Sequence, residues 1–400
     1  LAASLPEFTA LAPVLSARVR PIIDWLLLEG NRLTDLDVLF AELIDRVAAA
    51  GLPIGRVSLN LELLHPEVIG EGRVWLCGQT TQAHRAQRVG SDFSEYLNSP
   101  VYQVDQTGEP YRVRLASEQT AMPLLRRLQA EGFTDYYIIP IQVQDRHRSA
   151  AMSFAANKRV PAFSEADITD LGHIVAAVSP VVEARVVRSI ARDLLATYLG
   201  QGAGERVYAG QIQRGDAESI FAAVLFCDLR NFTRYTAEHL SQEVVARLNH
   251  WFELAVDAVE AHGGEVLKFI GDGMLAIFPA DMLNPREACG HALAAAATLE
   301  RAVARWNEAP PAGQIPLEYG LSLHLGHVSF GNIGGKRRLD FTVVGPAVNM
   351  ASRLLDAAKG LDCPLVVSTA FAGCSGRAMR SLGVHALRGI DQPEEIFTPH

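Results

Sequence analysis

Three short segments set polar side chains into otherwise apolar sequence. Asp228 closes the run SIFAAVLFCDL; Asp272 sits between Gly271 and Gly273 in LKFIGDGMLAIF, with Lys268 four residues before it; Asn349 and Arg353 follow Thr342 in FTVVGPAVNMASRL. Two carboxylates converging from neighbouring strand ends suit a pair of Mg²⁺ ions, because hard cations take oxygen ligands and keep positions for water and phosphate. Taken singly, Asp228 also reads as a cap and Asp272 as a turn residue; as a pair set in apolar strands they favour metal. The backbone amides from Leu229 through Phe232 to Thr233, entering a helix or tight turn, are placed to cradle phosphate oxygens. Lys268 and Asp272 share parity on one hairpin. Alternation puts them on one face with Ile270 between, roughly 13 Å apart at ~3.3 Å per residue, about the length of a nucleotide. A lysine inside a sheet needs a partner, since unpaired buried charge is costly. Asn349 and Arg353, at i and i+4, share one helical face.

These residues need elements to hold them. SIFAAVLFCDL is apolar on both faces and reads as a central strand. SQEVVARLNHWFELAVDAVEAHGG reads as a long helix capped at Ser241 and closed by two glycines. GEVLKFI and GMLAIF form a hairpin through Gly271, Asp272 and Gly273. An alanine-rich helix spans Pro285 to Glu308, followed by the strand YGLSLHLGHVSFG, the turn GNIGGKRR, the strand LDFTVV and a helix begun by GPAVNMASRLLDAAKG. That order describes an α+β sandwich with helices on one sheet face. GNIGGKRR is no phosphate loop, since Arg337 rather than Ser or Thr follows Lys336. Arg337 and Arg338 there read equally as a phosphate contact or a solvated basic loop. His324 and His327, in a strand without ligand-spaced partners, read as structural.

Upstream, residues 34 to 50 carry Leu36, Leu39, Leu43 and Val47 at helical spacing behind a cap at Thr34. VSLNLELL and RVWLC read as strands, and YYIIPIQV with SAAMSFAA as a hairpin around DRHR. From Asp167 a helix resumes, with Val178, Val182, Val186, Ile190, Leu194 and Tyr198 at every fourth position and Val181, Val187 and Leu195 beside them. The stripe suits either its own domain's core or a dimeric coiled connector. The glycine-rich, polar stretch from Gly200 to Asp216 marks a boundary.

At 400 residues, two domains are expected. The net charge of -9 has no acidic block or basic stripe, which argues against nucleic-acid partners. Five cysteines, Cys77, Cys227, Cys289, Cys363 and Cys374, show no CxxC spacing and suit a reduced, cytoplasmic protein. No apolar run reaches the roughly 20 residues of a membrane helix, and no leader opens the chain. Starting at Leu1 rather than methionine, the chain reads as a fragment or processed form. The sequon at Asn231 reads as accidental.

FCDLRNFT, EVLKFIGDGMLAIF and FTVVGPAVNMASRL, in that order, resemble the three signature segments of class III nucleotidyl cyclases over about residues 216 to 400. The resemblance implies a ferredoxin-like palm and a homodimer whose two active sites each borrow residues from both chains. It implies Asp228, Leu229 and Asp272 at two Mg²⁺ (or Mn²⁺) ions, and Leu229, Phe232 and Thr233 against the substrate phosphates. It further implies Lys268 and Thr342 reading the adenine of ATP, Asn349 orienting the ribose, Arg353 stabilising charge on the α-phosphate and Arg388 binding the triphosphate. Thr342 stands where animal members carry aspartate, and Asp340, two residues earlier, competes for the role. Arg388 replaces the family's lysine, keeping the charge with a fork geometry. The expected product is cyclic AMP. A guanylate cyclase, a non-catalytic regulator of the same fold and a diguanylate-cyclase-like palm are the competing readings.

Residues 21 to about 180 resemble a GAF-type sensory domain through GLPIGRVSLNLELLHPEV and TDYYIIPIQ. Such a domain implies a small-molecule ligand, although His65, Cys77, Tyr136 and Tyr137 form no cofactor signature. The organisation expected is a GAF-like regulatory domain over 1–180, a helical connector over 181–215 and a cyclase domain over 216–400.

Overall fold

A computed structural model of the chain describes residues 15–63, 68–88, 91–141, 150–160, 162–310, 314–361 and 363–400. Two compact units part between Leu194 and Leu195, inside the span expected as connector.

The first unit runs α1 (Arg20–Leu28), a 3-10 turn (Gly30–Arg32), α2 (Leu36–Ala49), β1 (Ile54–Glu62), β2 (Val68–Leu76), β3 (Gln82–Gln87), α3 (Ser91–Leu97), α4 (Pro100–Thr107), β4 (Tyr111–Val113), α5 (Pro123–Ala130), β5 (Tyr136–Pro140), β6 (Ala150–Ala156) and α6 (Glu165–Leu199), which continues past the unit boundary. Its cap is a correction to the sequence reading. Asp35, not Thr34, starts α2, its carboxylate accepting from the amides of Asp37 at 2.7 Å and Val38 at 3.3 Å. Asp is as good a cap as Thr, and the two are adjacent, so sequence alone does not choose between them.

The strands form one antiparallel sheet in the order β3-β2-β1-β6-β5-β4. The expected hairpin of β5 and β6 is present, while its DRHR turn lies outside the described residues, as does His65. Alternation sends Val57, Leu59, Leu61, Tyr137, Ile139, Met152 and Phe154 into a core beneath α1, α2 and α6. The opposite face, with Tyr136, Ile138, Ala151 and Ala155, is covered by Val104 of α4 and by Leu125 and Leu128 of α5. The α6 stripe from Val178 to Ile190 belongs to the first unit's own core. Val187 is 49% exposed and Tyr198 81%. The self-packing alternative therefore accounts for the stripe through Ile190.

The second unit runs α7 (Gln201–Tyr208), β7 (Ala217–Leu229), α8 (Phe232–Glu238), α9 (Ser241–Glu260), β8 (Glu265–Ile270), β9 (Gly273–Pro279), α10 (Pro285–Glu308), β10 (Tyr319–Gly334), β11 (Leu339–Val344), α11 (Pro346–Gly360), β12 (Leu365–Ser368), α12 (Thr369–Ser375), β13 (Met379–His385) and β14 (Glu394–Pro399). The stretch read as a polar boundary contains α7, whose Ala203 is fully buried. At the joint between α6 and α7, Gly200 has φ 88°, and a Cβ there would meet the Val266 carbonyl oxygen at 2.7 Å. Only glycine fits so close a left-handed turn. Ser241 is the first helical residue of α9 rather than its cap; the Leu240 amide instead donates to Glu243 Oε2 at 3.2 Å.

The strand order is β13-β14-β12-β10-β7-β9-β8, with β11 on β10. Its last four, β10-β7-β9-β8, are built by the succession β7-α9-β8-β9-α10-β10, the split βαβ pattern of a ferredoxin-like palm. Helices cover both sheet faces, not one. Ala223, Leu225 and Cys227 of β7 pack with α9 and α10, whereas Ala222 and Val224 pack with Ala347 and Ala351 of α11 and Ala203 of α7. A strand apolar on both faces requires that second layer. No helix among the described residues is long and apolar enough to cross a membrane.

Candidate active site

The alternation of β7 fixes where Asp228 points. Cys227 and Leu229 belong to the α9–α10 face, so Asp228 lies on the α11 face at the strand's end, opposite Gly320. Its Oδ2 accepts from Lys359 Nζ of α11 at 2.6 Å, while its Oδ1 is buried without a hydrogen-bond partner. Burial pushes the Asp228 pKa up. Lys359 opposes that shift, and the charges of Asp272 and Asp356 reinforce it. Such a carboxylate is held where its charge is under-compensated, the condition that favours a cation.

Asp272 reaches the same locality from the hairpin. Gly271, at φ 65°, and Asp272 form a two-residue loop between the paired Ile270 and Gly273. The fully buried Trp251 of α9 fastens that loop by donating Nε1–H to the Asp272 carbonyl oxygen at 3.0 Å. Trp251 went unremarked in the sequence because its role depends on a partner 21 positions away. Lys359 was missed for the same reason. Among the described residues no group of three His, Cys, Asp or Glu side chains gathers. Two carboxylates, one with an orphan oxygen, fit an oxygen-ligated ion that keeps positions for water and phosphate.

Lys268 lies opposite Leu275, on the face toward α11; the bulge between Val266 and Lys268 precedes it, and Asp272 lies in the loop beyond the strand's alternation. Lys268 is half-buried rather than buried, and its partner is Asp340 of β11, to whose Oδ2 its ammonium closes directly. Thr342, two residues on, has a buried hydroxyl without a hydrogen-bond partner. The structure thus brings Lys268 to Asp340 and leaves Thr342 as an unspent polar group.

Asn349 and Arg353 lie on α11 as expected. Asn349 is exposed, and Arg353 Nη1 contacts Asp356 Oδ2 at 3.4 Å. Arg388 is exposed in the segment between β13 and β14. Among the described residues, Asn349 and Arg388 make no hydrogen bond or ion pair with Asp228, Asp272 or Lys268. The expected cradle of successive amides is interrupted: the Arg230 amide donates to the Glu318 carbonyl at 2.8 Å, and Asn231 is left-handed at φ 59° before α8 begins at Phe232. The Leu229 side chain is buried, Phe232 half-buried and Thr233 exposed. Leu229 therefore has only its backbone to offer a ligand. Lys336, Arg337 and Arg338 are exposed.

The histidines are structural. His327 packs on Phe221 at 4.8 Å between ring centroids, and His324 Nδ1 shares a 2.8 Å hydrogen bond with Ser368 Oγ. Burial pulls the His324 pKa down to about 4. The unfolded chain takes up this proton at about pH 6.5 and the folded chain only near 4, so stability falls across that window as pH drops. The expected loss is about 3 kcal/mol. Urea midpoints measured from about pH 7 to about pH 4.5 will show this decline in the wild type and a flatter profile in His324→Gln. Equal slopes would contradict it.

Residues 217–389 match the family described as the adenylate and guanylate cyclase catalytic domain. An uncharacterized protein of Mycobacterium tuberculosis is 34% identical over 240 residues, covering 58% of this chain and 41% of the relative. One of Mycobacterium bovis is 34% identical over 239 residues, covering 58% and 43%. The chain thus spans about two fifths of the length of these curated relatives. Among solved structures, the adenylyl cyclase CyaB from P. aeruginosa is 23% identical with a TM-score of 0.42, over 46% of this chain and 96% of that one. The guanylyl cyclase Cya2 is 27% identical with a TM-score of 0.41, over 45% and 92%.

Proposed function

We propose that the chain, whose residues 217–389 match the adenylate and guanylate cyclase catalytic domain family, is an adenylate cyclase, forming 3',5'-cyclic AMP and pyrophosphate from ATP in a homodimer. The observation that carries this reading is Asp228, under-compensated and with an orphan Oδ1, beside Asp272 at the open end of the palm sheet. Bound by those carboxylates and the Leu229 backbone, two Mg²⁺ or Mn²⁺ ions would supply activation of the ribose 3'-hydroxyl and neutralisation of the triphosphate. Asp228 and Asp272 position that charge. Asn349 orients the ribose, Arg353 stabilises negative charge on the α-phosphate and Arg388 holds the triphosphate with Phe232 and Thr233 nearby. Lys268 donates to the adenine ring, while Asp340 and the free Thr342 hydroxyl accept from its amino group. Sharing of the two sites between protomers makes dimerisation a condition of turnover.

The first unit is a GAF-like sensory domain over 1–180 in this reading, joined through the 181–215 connector to the cyclase domain over 216–400. A ligand regulates only by preferring one dimer geometry. Guanylate cyclase is the second reading, favoured by one observation: Asp340 places a carboxylate beside Lys268, and an acid suits the N–H edge of guanine. Initial rates with ATP and GTP under Mn²⁺ separate the two. The expected preference for ATP in kcat/KM is about tenfold or more. Faster GTP turnover overturns the substrate, and absence of turnover with either nucleotide leaves a ligand-binding regulator.

A further inference from the structure

A polar stripe crosses the first unit's sheet on the face covered by α4 and α5. Strand alternation that sends Val57, Leu59 and Leu61 into the α1–α2–α6 core sends Arg56, Ser58 and Asn60 the other way. Arg56 lies opposite Ala155 of β6, and Ala155 opposite Tyr136 of β5, so the three form one row. Ser58 and Ser153 form the next, joined by a 2.7 Å hydrogen bond, with Asn60 Nδ2 donating to Ser58 Oγ at 3.2 Å. All this lies deep in the fold: Arg56 is 8% exposed, Ser58 3%, and Tyr136 and Ser153 fully buried.

Arg56 differs from the other buried arginines. Arg73 pairs with Asp37 and Glu71, and Arg247 donates to the carbonyls of Ile315 and Pro316. Among the described residues, Arg56 Nη1 is buried without any acceptor, and the buried Tyr136 hydroxyl, close to Ser153 and Arg56, makes no well-formed hydrogen bond, its approach to Ser153 being at most a weak one. Of the described charges that bear on Arg56, Glu131 is exposed and is opposed by Arg127, while the fully buried Asp135 is taken by Arg112 at 2.7 Å. A buried guanidinium with an unsatisfied N–H and no directly bonded carboxylate is costly, and native folds seldom leave both it and an adjacent hydroxyl unsatisfied. The small side chains of Ala151, Ser153 and Ala155 line the strand beside it.

We propose that this face of the first unit binds a small oxyanion, the carboxylate or phosphate group of a compact metabolite, with Arg56 as its charge partner and Tyr136, Ser153 and Ser58 as hydrogen-bonding neighbours. An oxyanion accepts from the planar fork of arginine and from hydroxyl donors at once, which satisfies every orphan in the stripe. The site stands independently of the reaction assigned to the second unit. It would give the sensory role a ligand class.

The test is thermal unfolding of the full chain, at constant ionic strength set with chloride, titrated with inorganic phosphate in one arm and with acetate, succinate and glutarate in the other. One arm is expected to raise the melting temperature saturably, by about 5–10 °C at a hundredfold excess over Kd. That arm names the oxyanion. The shift should persist in Asp272→Ala, which separates it from anion binding at the cyclase site. It should vanish in Arg56→Met, and in Tyr136→Phe the half-saturating concentration should rise about tenfold. Tyr136→Phe removes one oxygen and serves where Arg56→Met does not fold. The proposal is overturned if no probe in either arm exceeds the chloride control, or if a shift survives undiminished in the variants that fold.

Discussion

Asp228→Asn abolishes most turnover and, in chelator, melts higher than the wild type. The two outcomes share one cause. The ionised Asp228 carboxylate is disfavoured by the fold, since burial and the charges of Asp272 and Asp356 outweigh the Lys359 contact and raise its pKa. For an acid raised in the folded state, the unfolded chain holds fewer protons between the two pKa values, so stability declines as pH climbs through that window. Above it the cost is fully present. Asparagine has the same shape without the charge, so the variant escapes the cost there, with an expected rise of about 1–4 °C. Below the unfolded pKa the two proteins converge, because the wild-type carboxyl is then neutral in both states. Mn²⁺ reverses the order by stabilising only a chain with an ionised carboxylate to offer. Turnover should fall on the order of 10³-fold with either nucleotide, since the site loses the charge that holds its ions. Melting curves at several pH values, with and without Mn²⁺, check all of this. A variant that retains turnover, or whose melting temperature responds to Mn²⁺ as the wild type does, removes Asp228 from the metal site.

The sequence was most informative where the physics is local. The α10 helix begins at Pro285 and ends at Glu308 as its proline start and alanine period require, and the hairpin turns where glycine flanks Asp272. The α+β class and palm order follow from such elements. Pairings between distant residues were less legible. Lys268 meets Asp340 across 72 positions, and Asp228 meets Lys359 from another element altogether. Nothing in the local pattern of EVLKFIGDG reveals the bulge just before Lys268, because one inserted residue changes parity with the start of the strand without changing composition. Arg56 shows the same limit from the other side. In GLPIGRVSLNLELL it reads as an ordinary strand arginine, and only the register of β1, β6 and β5 places it on the buried face, where, among the described residues, its Nη1 has no hydrogen-bond acceptor.

Mixing Asp272→Ala with Lys268→Glu restores turnover that neither variant has alone. The two residues lie four positions apart on one hairpin, which invites a reading in which they serve one ligand. The geometry separates their tasks instead. Lys268 turns toward Asp340 of β11, on the side proposed to read the base, whereas Asp272 projects from the loop held by Trp251, near Asp228. If each active site takes its carboxylates from one protomer and its base-reading lysine from the other, a homodimer of either variant has two broken sites. A heterodimer concentrates both lesions in one site and leaves the second whole. Random reassociation of equal amounts makes about half the dimers mixed, each with one of two sites intact, so the mixture should reach about a quarter of wild-type turnover. The Lys268→Glu parent must be inactive for the measurement to count, and charge reversal against Asp340 ensures a large effect there. Subunit exchange is monitored by native mass spectrometry on differently tagged chains. Mixed dimers without recovered turnover would place Lys268 and Asp272 in the same site, and the shared-site homodimer would have to be abandoned.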